Sequence, residues 1–200
     1  MKTTLLTLAF FLTGLITPVF AAVEIGKPAE NFTLIDTQGK SHSLSDFKGK
    51  FVVLEWYNPD CPFVVKHYDS NNMQTLQKDY TGKGVVWLSI NSSAKGKQGH
   101  YTPAEYNKIA TDKKTAPTAV LLDHDGKVGK TYDAKTTPQI YIVNPEGKLI
   151  YQGAIDSKSS ADAGDIANSE NYVKATLDAA LTGKAVTTSS TKPYGCSVKY

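Results

Sequence analysis

No arginine occurs anywhere in the 200 residues, so all 22 basic side chains are lysine. Without guanidinium forks, bidentate recognition of phosphate by arginine is excluded. A net charge of +3 is too small to argue for nucleic acid or an anionic lipid surface as partner. Long apolar runs are scarce as well. Residues 5–16 are mostly apolar, but about 20 residues are needed to span a bilayer. Only two cysteines are present, Cys61 and Cys196. They do not form a Cys-x-x-Cys motif, and neither lies near the start of the chain, so lipid attachment there is not indicated. No internal repeat and no second domain is visible.

What is present begins with a secretory pattern. Lys2 supplies a positive start, 5–16 an apolar centre, and Val19-Phe20-Ala21-Ala22 the small residues of a cleavage site. The expectation is a signal peptide over 1–21 and a secreted or periplasmic protein that leaves the membrane once cleaved. Residues 22–183 fit one domain by size. Residues 184–200 are rich in Thr and Ser and read as a surface tail carrying Cys196. In an exported chain two cysteines are free to form a disulfide.

The patterning between these ends alternates strand and helix. A strand is expected over 31–36, a helical turn over 43–47, and a strand buried on both faces over 51–57. Phe63, Val64, His67, Tyr68, Met73, Leu76 and Tyr80 approximate helical spacing, with Pro62 suited to the first turn. A second buried strand covers 85–90, a loop 92–102, a helix 103–114 and a strand 118–122. Residues 139–143 and 148–152 flank the turn Asn144-Pro145-Glu146-Gly147 as a hairpin, and a last amphipathic helix covers 171–181. Strand, helix, strand in this order implies a parallel pair with a crossover.

The densest chemistry lies in Trp56-Tyr57-Asn58-Pro59-Asp60-Cys61-Pro62-Phe63-Val64. It puts Cys61 on a strand-to-helix turn, where free N–H groups and the helix dipole favour an anion. Such turns hold reactive thiolates. Asp60 beside it opposes that charge. An inert buried cysteine is the alternative, but a turn between Pro59 and Pro62 is a poor place for burial. Cys196, in Lys192-Pro193-Tyr194-Gly195-Cys196, has three readings: it resolves an intermediate formed on Cys61, it staples the tail permanently, or it bonds to another chain. Trp56 is either an aromatic wall beside the site or a core residue. Tyr57 and Asn58 are candidates for hydrogen bonds near the thiol. His67, Cys61 and Met73 are soft metal ligands, but spacings of six do not stay on one helical face, so no metal site is expected. Asp123-His124-Asp125-Gly126 starts like a calcium loop, lacks the later acidic ligand, and reads as a turn.

The order strand, cysteine turn, helix, strand, helix, strand, hairpin, helix resembles the thioredoxin superfamily. Thr137-Pro138 before the 139–143 strand is similar to the cis-proline that faces the active cysteine there. The Leu121 to Lys127 stretch and the Asn144 to Gly147 turn resemble the peroxiredoxin-like (AhpC/TSA, redoxin) and TlpA/ResA-type branches. The resemblance covers roughly residues 24–182. It implies an α/β thioredoxin-like fold, with a central mixed β-sheet flanked by helices, and a backbone edge at Thr137 and Pro138 that pairs with an extended peptide. The departures are plain. Val64 stands where a thioredoxin has its second cysteine. Asn58 and Leu54 stand where a peroxiredoxin has its threonine and proline, and its arginine has no counterpart.

The expected function is therefore a thiol-dependent oxidoreductase with Cys61 as nucleophile and Cys196 as resolving or structural partner. Trp56, Asn58, Pro59, Pro62, Thr137 and Pro138 would form the surroundings. Its partners would be a protein disulfide or thiol, or a peroxide, with an external thiol as reductant. No cofactor is expected. The alternative is a non-enzymatic module that binds protein, with Cys61–Cys196 as a structural disulfide.

Overall fold

A computed structural model describes residues 23–200; the segment read as a signal peptide lies outside the described residues. The elements are β1 (Thr33–Asp36), β2 (Ser41–Ser43), β3 (Val52–Trp56), α1 (Pro62–Asp69), α2 (Asn72–Thr81), β4 (Val86–Asn91), α3 (Pro103–Asp112) and β5 (Ala119–Leu122). They continue with α4 (Lys127–Thr131), β6 (Thr136–Thr137), β7 (Gln139–Val143), β8 (Leu149–Gly153), α5 (Tyr172–Leu181) and β9 (Cys196–Ser197).

Seven strands form one sheet in the order β2-β1-β5-β4-β3-β7-β8. The β3/β4 and β4/β5 pairs are parallel, and the remaining pairs are antiparallel. The sheet is mixed and helix-flanked, as expected. β3 and β4 are buried along their whole length, which is what their near-continuous apolar runs require. Side chains alternate across β3, and the two sheet faces carry separate cores. Val52, Leu54 and Trp56 face one with Leu88 and Tyr141. Val53, Tyr57 and Cys61 face the other with Met73, Trp87 and Val173.

Several elements differ from the sequence expectation. The helix read through 63–80 is two helices, broken at Ser70 and Asn71. Asn71 has φ 59°, a left-handed conformation that asparagine tolerates and a continuous helix does not. The step from Tyr68 to Met73 is also too long for one apolar face. Beyond the Asp123–Gly126 turn, α4 forms because the Asp123 carboxylate accepts from the Val128 and Gly129 N–H groups at its start. α3 starts as expected: Pro103 occupies its first turn, and Thr102 and Glu105 form a capping box. Residues 184–200 are no loose tail. Gln152 N–H donates to Ser189 O, Gln152 O accepts from Thr191 N–H, and β9 pairs with β6. The described residues contain no helix long and apolar enough to cross a membrane.

Candidate active site

The turn after β3 holds Cys61 by local hydrogen bonds. Cys61 N–H donates to Asn58 O at 3.1 Å, and the Asn58 side chain accepts from Asp60 N–H at 3.0 Å. Cys61 is the N-cap of α1, and its carbonyl accepts from Val64 and Val65 N–H. Pro62 follows at the first helical position, where no N–H is needed. The Asp60 carboxylate is held by the 99–101 segment. It accepts from Gly99 N–H at 3.0 Å and from the Tyr101 hydroxyl at 2.7 Å, which raises the Tyr101 pKa.

The opposite wall comes from two segments distant in sequence. The Thr137–Pro138 peptide is cis, as the resemblance implied. Thr137 and Cys196 are register partners in the antiparallel β6/β9 pair, with Thr136 opposite Ser197. Val198 N–H extends the pairing by donating to Lys135 O. This brings Cys61 Sγ to 3.0 Å from Thr137 O and 2.7 Å from Cys196 Sγ. Both cysteines are free thiols. Burial, then the hydrogen bond and charge of Cys61, push the Cys196 thiol up to about 11.

Cys61 is fully buried, contrary to the expectation for a turn between Pro59 and Pro62. The tail is the reason: Cys196, half-buried itself, packs on the cluster that contains Cys61. Trp56 is also placed by the fold. Its ring packs on Tyr132 and Tyr141 in the core of the other sheet face, and its Nε1–H donates to Ser92 Oγ. It is the core residue of the two readings, not a wall beside the sulfur. Pro59 is half-buried, while Asn58, Thr137 and Pro138 are buried.

Two features escaped the sequence reading. The first is Glu55, a lone acid inside the apolar β3 run. It is fully buried and accepts from Tyr68 Oη (2.7 Å), Trp87 Nε1 (2.8 Å), Ser89 Oγ (2.8 Å) and Gln77 Nε2 (3.3 Å). Burial raises its carboxyl pKa despite these donors. A single charge in a both-faces-buried strand was the available signal.

The second is a buried polar cluster under the tail. Asn72 donates to His67 Nδ1 at 2.8 Å, which leaves the proton on Nε2, 3.1 Å from the Tyr194 hydroxyl. That hydroxyl donates to Asp156 Oδ1 at 2.6 Å. Lys66 Nζ lies 3.6 Å from Asp156 Oδ2 and donates to Lys158 O. Burial, reinforced by the Lys66 charge, lowers the His67 pKa to about 4 against the pull of Asp156. His67 is thus a neutral hydrogen-bonding residue. No group of three or more His, Cys, Asp or Glu suited to a metal ion occurs among the described residues.

Comparison with known proteins gives this arrangement a context. Residues 25–152 match the model of the AhpC/TSA family. The chain is 33% identical to the thiol-disulfide oxidoreductase ResA of Bacillus subtilis (strain 168), over 66% of this chain and 70% of that protein. Among solved structures, a hypothetical protein from Sinorhizobium meliloti 1021 aligns with a TM-score of 0.74 and 25% identity, covering 90% of this chain and 96% of that one. That coverage reaches beyond residue 152, where the family match stops. The thioredoxin domain of a thiol-disulfide oxidoreductase from Bacteroides vulgatus aligns with a TM-score of 0.52 and 25% identity, covering 66% of this chain and 89% of that one.

Proposed function

The chain belongs to the AhpC/TSA family and is a thiol-dependent oxidoreductase of thioredoxin-like fold, and from that premise we propose that Cys61 is its nucleophile and Cys196 its resolving thiol in exchange with disulfides of protein partners. The observation that carries this reading is the 2.7 Å approach of the two sulfurs beside the cis Thr137–Pro138 edge.

Two steps follow. The tail leaves, and Cys61 sulfur attacks one sulfur of the partner disulfide. The partner S–S bond breaks, a Cys61–partner disulfide forms, and the other partner sulfur departs with the proton that Cys61 gives up. The tail then returns, and Cys196 sulfur attacks Cys61 sulfur. A Cys61–Cys196 bond forms and the partner leaves as its second thiol. The two protein thiols have supplied two electrons, and an external thiol reductant restores them. Since tail and partner use one edge, resolution and release are the same event.

Peroxide fits less well as the substrate. No arginine is present to stabilise the departing oxyanion, and Cys61 lies beneath a polypeptide segment rather than in an open cup. The signal-like residues 1–21 support a secreted or periplasmic site of action, where disulfide partners are available. The test is turnover of a protein disulfide by the purified protein with a dithiol reductant. Cys61→Ser should bring turnover to background. Cys196→Ser should accumulate a mixed disulfide on Cys61, seen by mass spectrometry. Full turnover by Cys61→Ser would overturn the assignment.

A further inference from the structure

The docked tail shows what the β6 edge and its surroundings accept. Cys196 sits opposite Thr137, the register position from which a sulfur reaches Cys61. The residue before it, Gly195, has φ 139°, in the region open to glycine. It also lies so close to Thr137 that a Cβ would run into the Thr137 carbonyl. The residue before that, Tyr194, enters the polar cluster. Its ring meets Phe63 edge-on at 5.9 Å and lies 5.6 Å from Lys66 Nζ, while its hydroxyl bridges His67 Nε2 and Asp156 Oδ1.

This cluster is built rather than accidental. Lys66, His67 and Asp156 have side chains at most 1% exposed. Buried charges and dipoles of this kind are costly unless partnered. When the tail leaves, the His67 N–H and the Asp156 carboxylate lose the hydroxyl between them. An incoming polypeptide that delivers its cysteine along the same edge, in the same direction, places its own residue two before the cysteine at this cluster. Its residue directly before the cysteine meets the Thr137 carbonyl.

We propose that the Phe63, Lys66, His67 and Asp156 cluster is a recognition subsite for the partner, and that the site prefers extended segments of the form Tyr-Gly-Cys, matching Tyr194-Gly195-Cys196. The inference rests on Cys61 being the nucleophile. It adds to that reading a partner class: a polypeptide with a hydroxyl-bearing aromatic two residues before its reactive cysteine and a glycine between them.

The test uses full-length protein carrying Cys196→Ser, so that the mixed disulfide persists. The probes are peptides of sequence Tyr-Gly-Cys-Ser-Val whose cysteine is joined to thionitrobenzoate. Attack by Cys61 on the peptide sulfur releases thionitrobenzoate, and its absorbance gives the rate. One series replaces the tyrosine by phenylalanine or alanine, and another replaces the glycine by alanine. The tyrosine peptide should react faster than the phenylalanine peptide by on the order of tenfold. The alanine peptide should be slower again, and the Tyr-Ala-Cys peptide should also be slow. Equal rates throughout, or a faster alanine peptide, would overturn the subsite. The symmetric thionitrobenzoate disulfide serves as control. If Cys61 fails to react even with that reagent, the nucleophile assignment itself falls, and the two failures are told apart.

Discussion

The two sulfurs of the site are held in different ways. Cys61 is fixed by its own neighbours: Asn58, Asp60 and the first turn of α1 determine its backbone within a few residues. Cys196 is fixed by a relay of remote contacts. Thr191 binds Tyr151, Tyr194 binds the His67/Asp156 cluster, β9 pairs with β6, and the Tyr200 hydroxyl donates to Ala134 O. The partner in each of these contacts lies far from Cys196 in sequence. The local wall is built to stay and the remote wall can be undone contact by contact, so the tail is the moving part of the proposed cycle.

That contrast can be broken most severely at Asp156. Removing one partner of a buried ion pair leaves the other charge uncompensated, at a cost of about 3–5 kcal/mol. Asp156→Ala should lose stability of that size, read as a fall in the urea midpoint. A loss below ~1 kcal/mol would show that Lys66 finds another partner.

Tyr194→Phe is milder and more selective. It removes only the hydroxyl that joins His67 to Asp156, worth about 1–3 kcal/mol. The tail should open more often, and alkylation of Cys61 by iodoacetamide should accelerate by on the order of tenfold. An unchanged rate would mean that the hydroxyl does not hold the tail over the sulfur.

At the far end of the tail, a Cβ at Gly129 would meet the Tyr200 hydroxyl end and Ser92 Oγ. Gly129→Ala should displace Tyr200 at a cost of about 1 kcal/mol. Cys61 alkylation should then rise less than in Tyr194→Phe. The reverse ranking would place the main fastening at Tyr200.

The smallest effect is a change of slope, and it probes the fixed wall. Burial raises the Glu55 carboxyl above its ordinary value of 4.5, so the fold favours the protonated form. Its contribution is full below about pH 4.5 and is lost as pH rises through the higher folded value. The stability of the unsubstituted protein relative to Glu55→Gln should therefore fall as pH increases across that window. A flat difference in denaturant titrations would refute the raised carboxyl.

Where the chain buries apolar side chains periodically, the fold was legible. The runs that became β3, β4, β7 and β8 and the position of Cys61 at the head of α1 followed from apolar pattern and the Pro62 signal. The helix break at Asn71 was visible only as a slip of phase between Tyr68 and Met73. The docking of residues 184–200 left no pattern to read. It depends on two-residue backbone pairing, a glycine close to a carbonyl, and single tyrosines, none of which produces a period. For the same reason Cys61 read as an exposed turn residue: its cover is contributed from more than a hundred positions away. Trp56 was readable from parity, since it shares a β3 face with Val52 and Leu54, whereas Tyr57 and Cys61 face the other way.

The β6/β9 pairing has a kinetic consequence. In the proposed cycle Cys196 returns to a fixed register on the same chain, so its encounter with Cys61 is unimolecular. Its rate is independent of how much protein is present. A short tether alone supplies an effective molarity in the millimolar range, and docking in register raises it further. A free thiol that aims to intercept the mixed disulfide must therefore exceed millimolar concentration to outrun the chain's own tail.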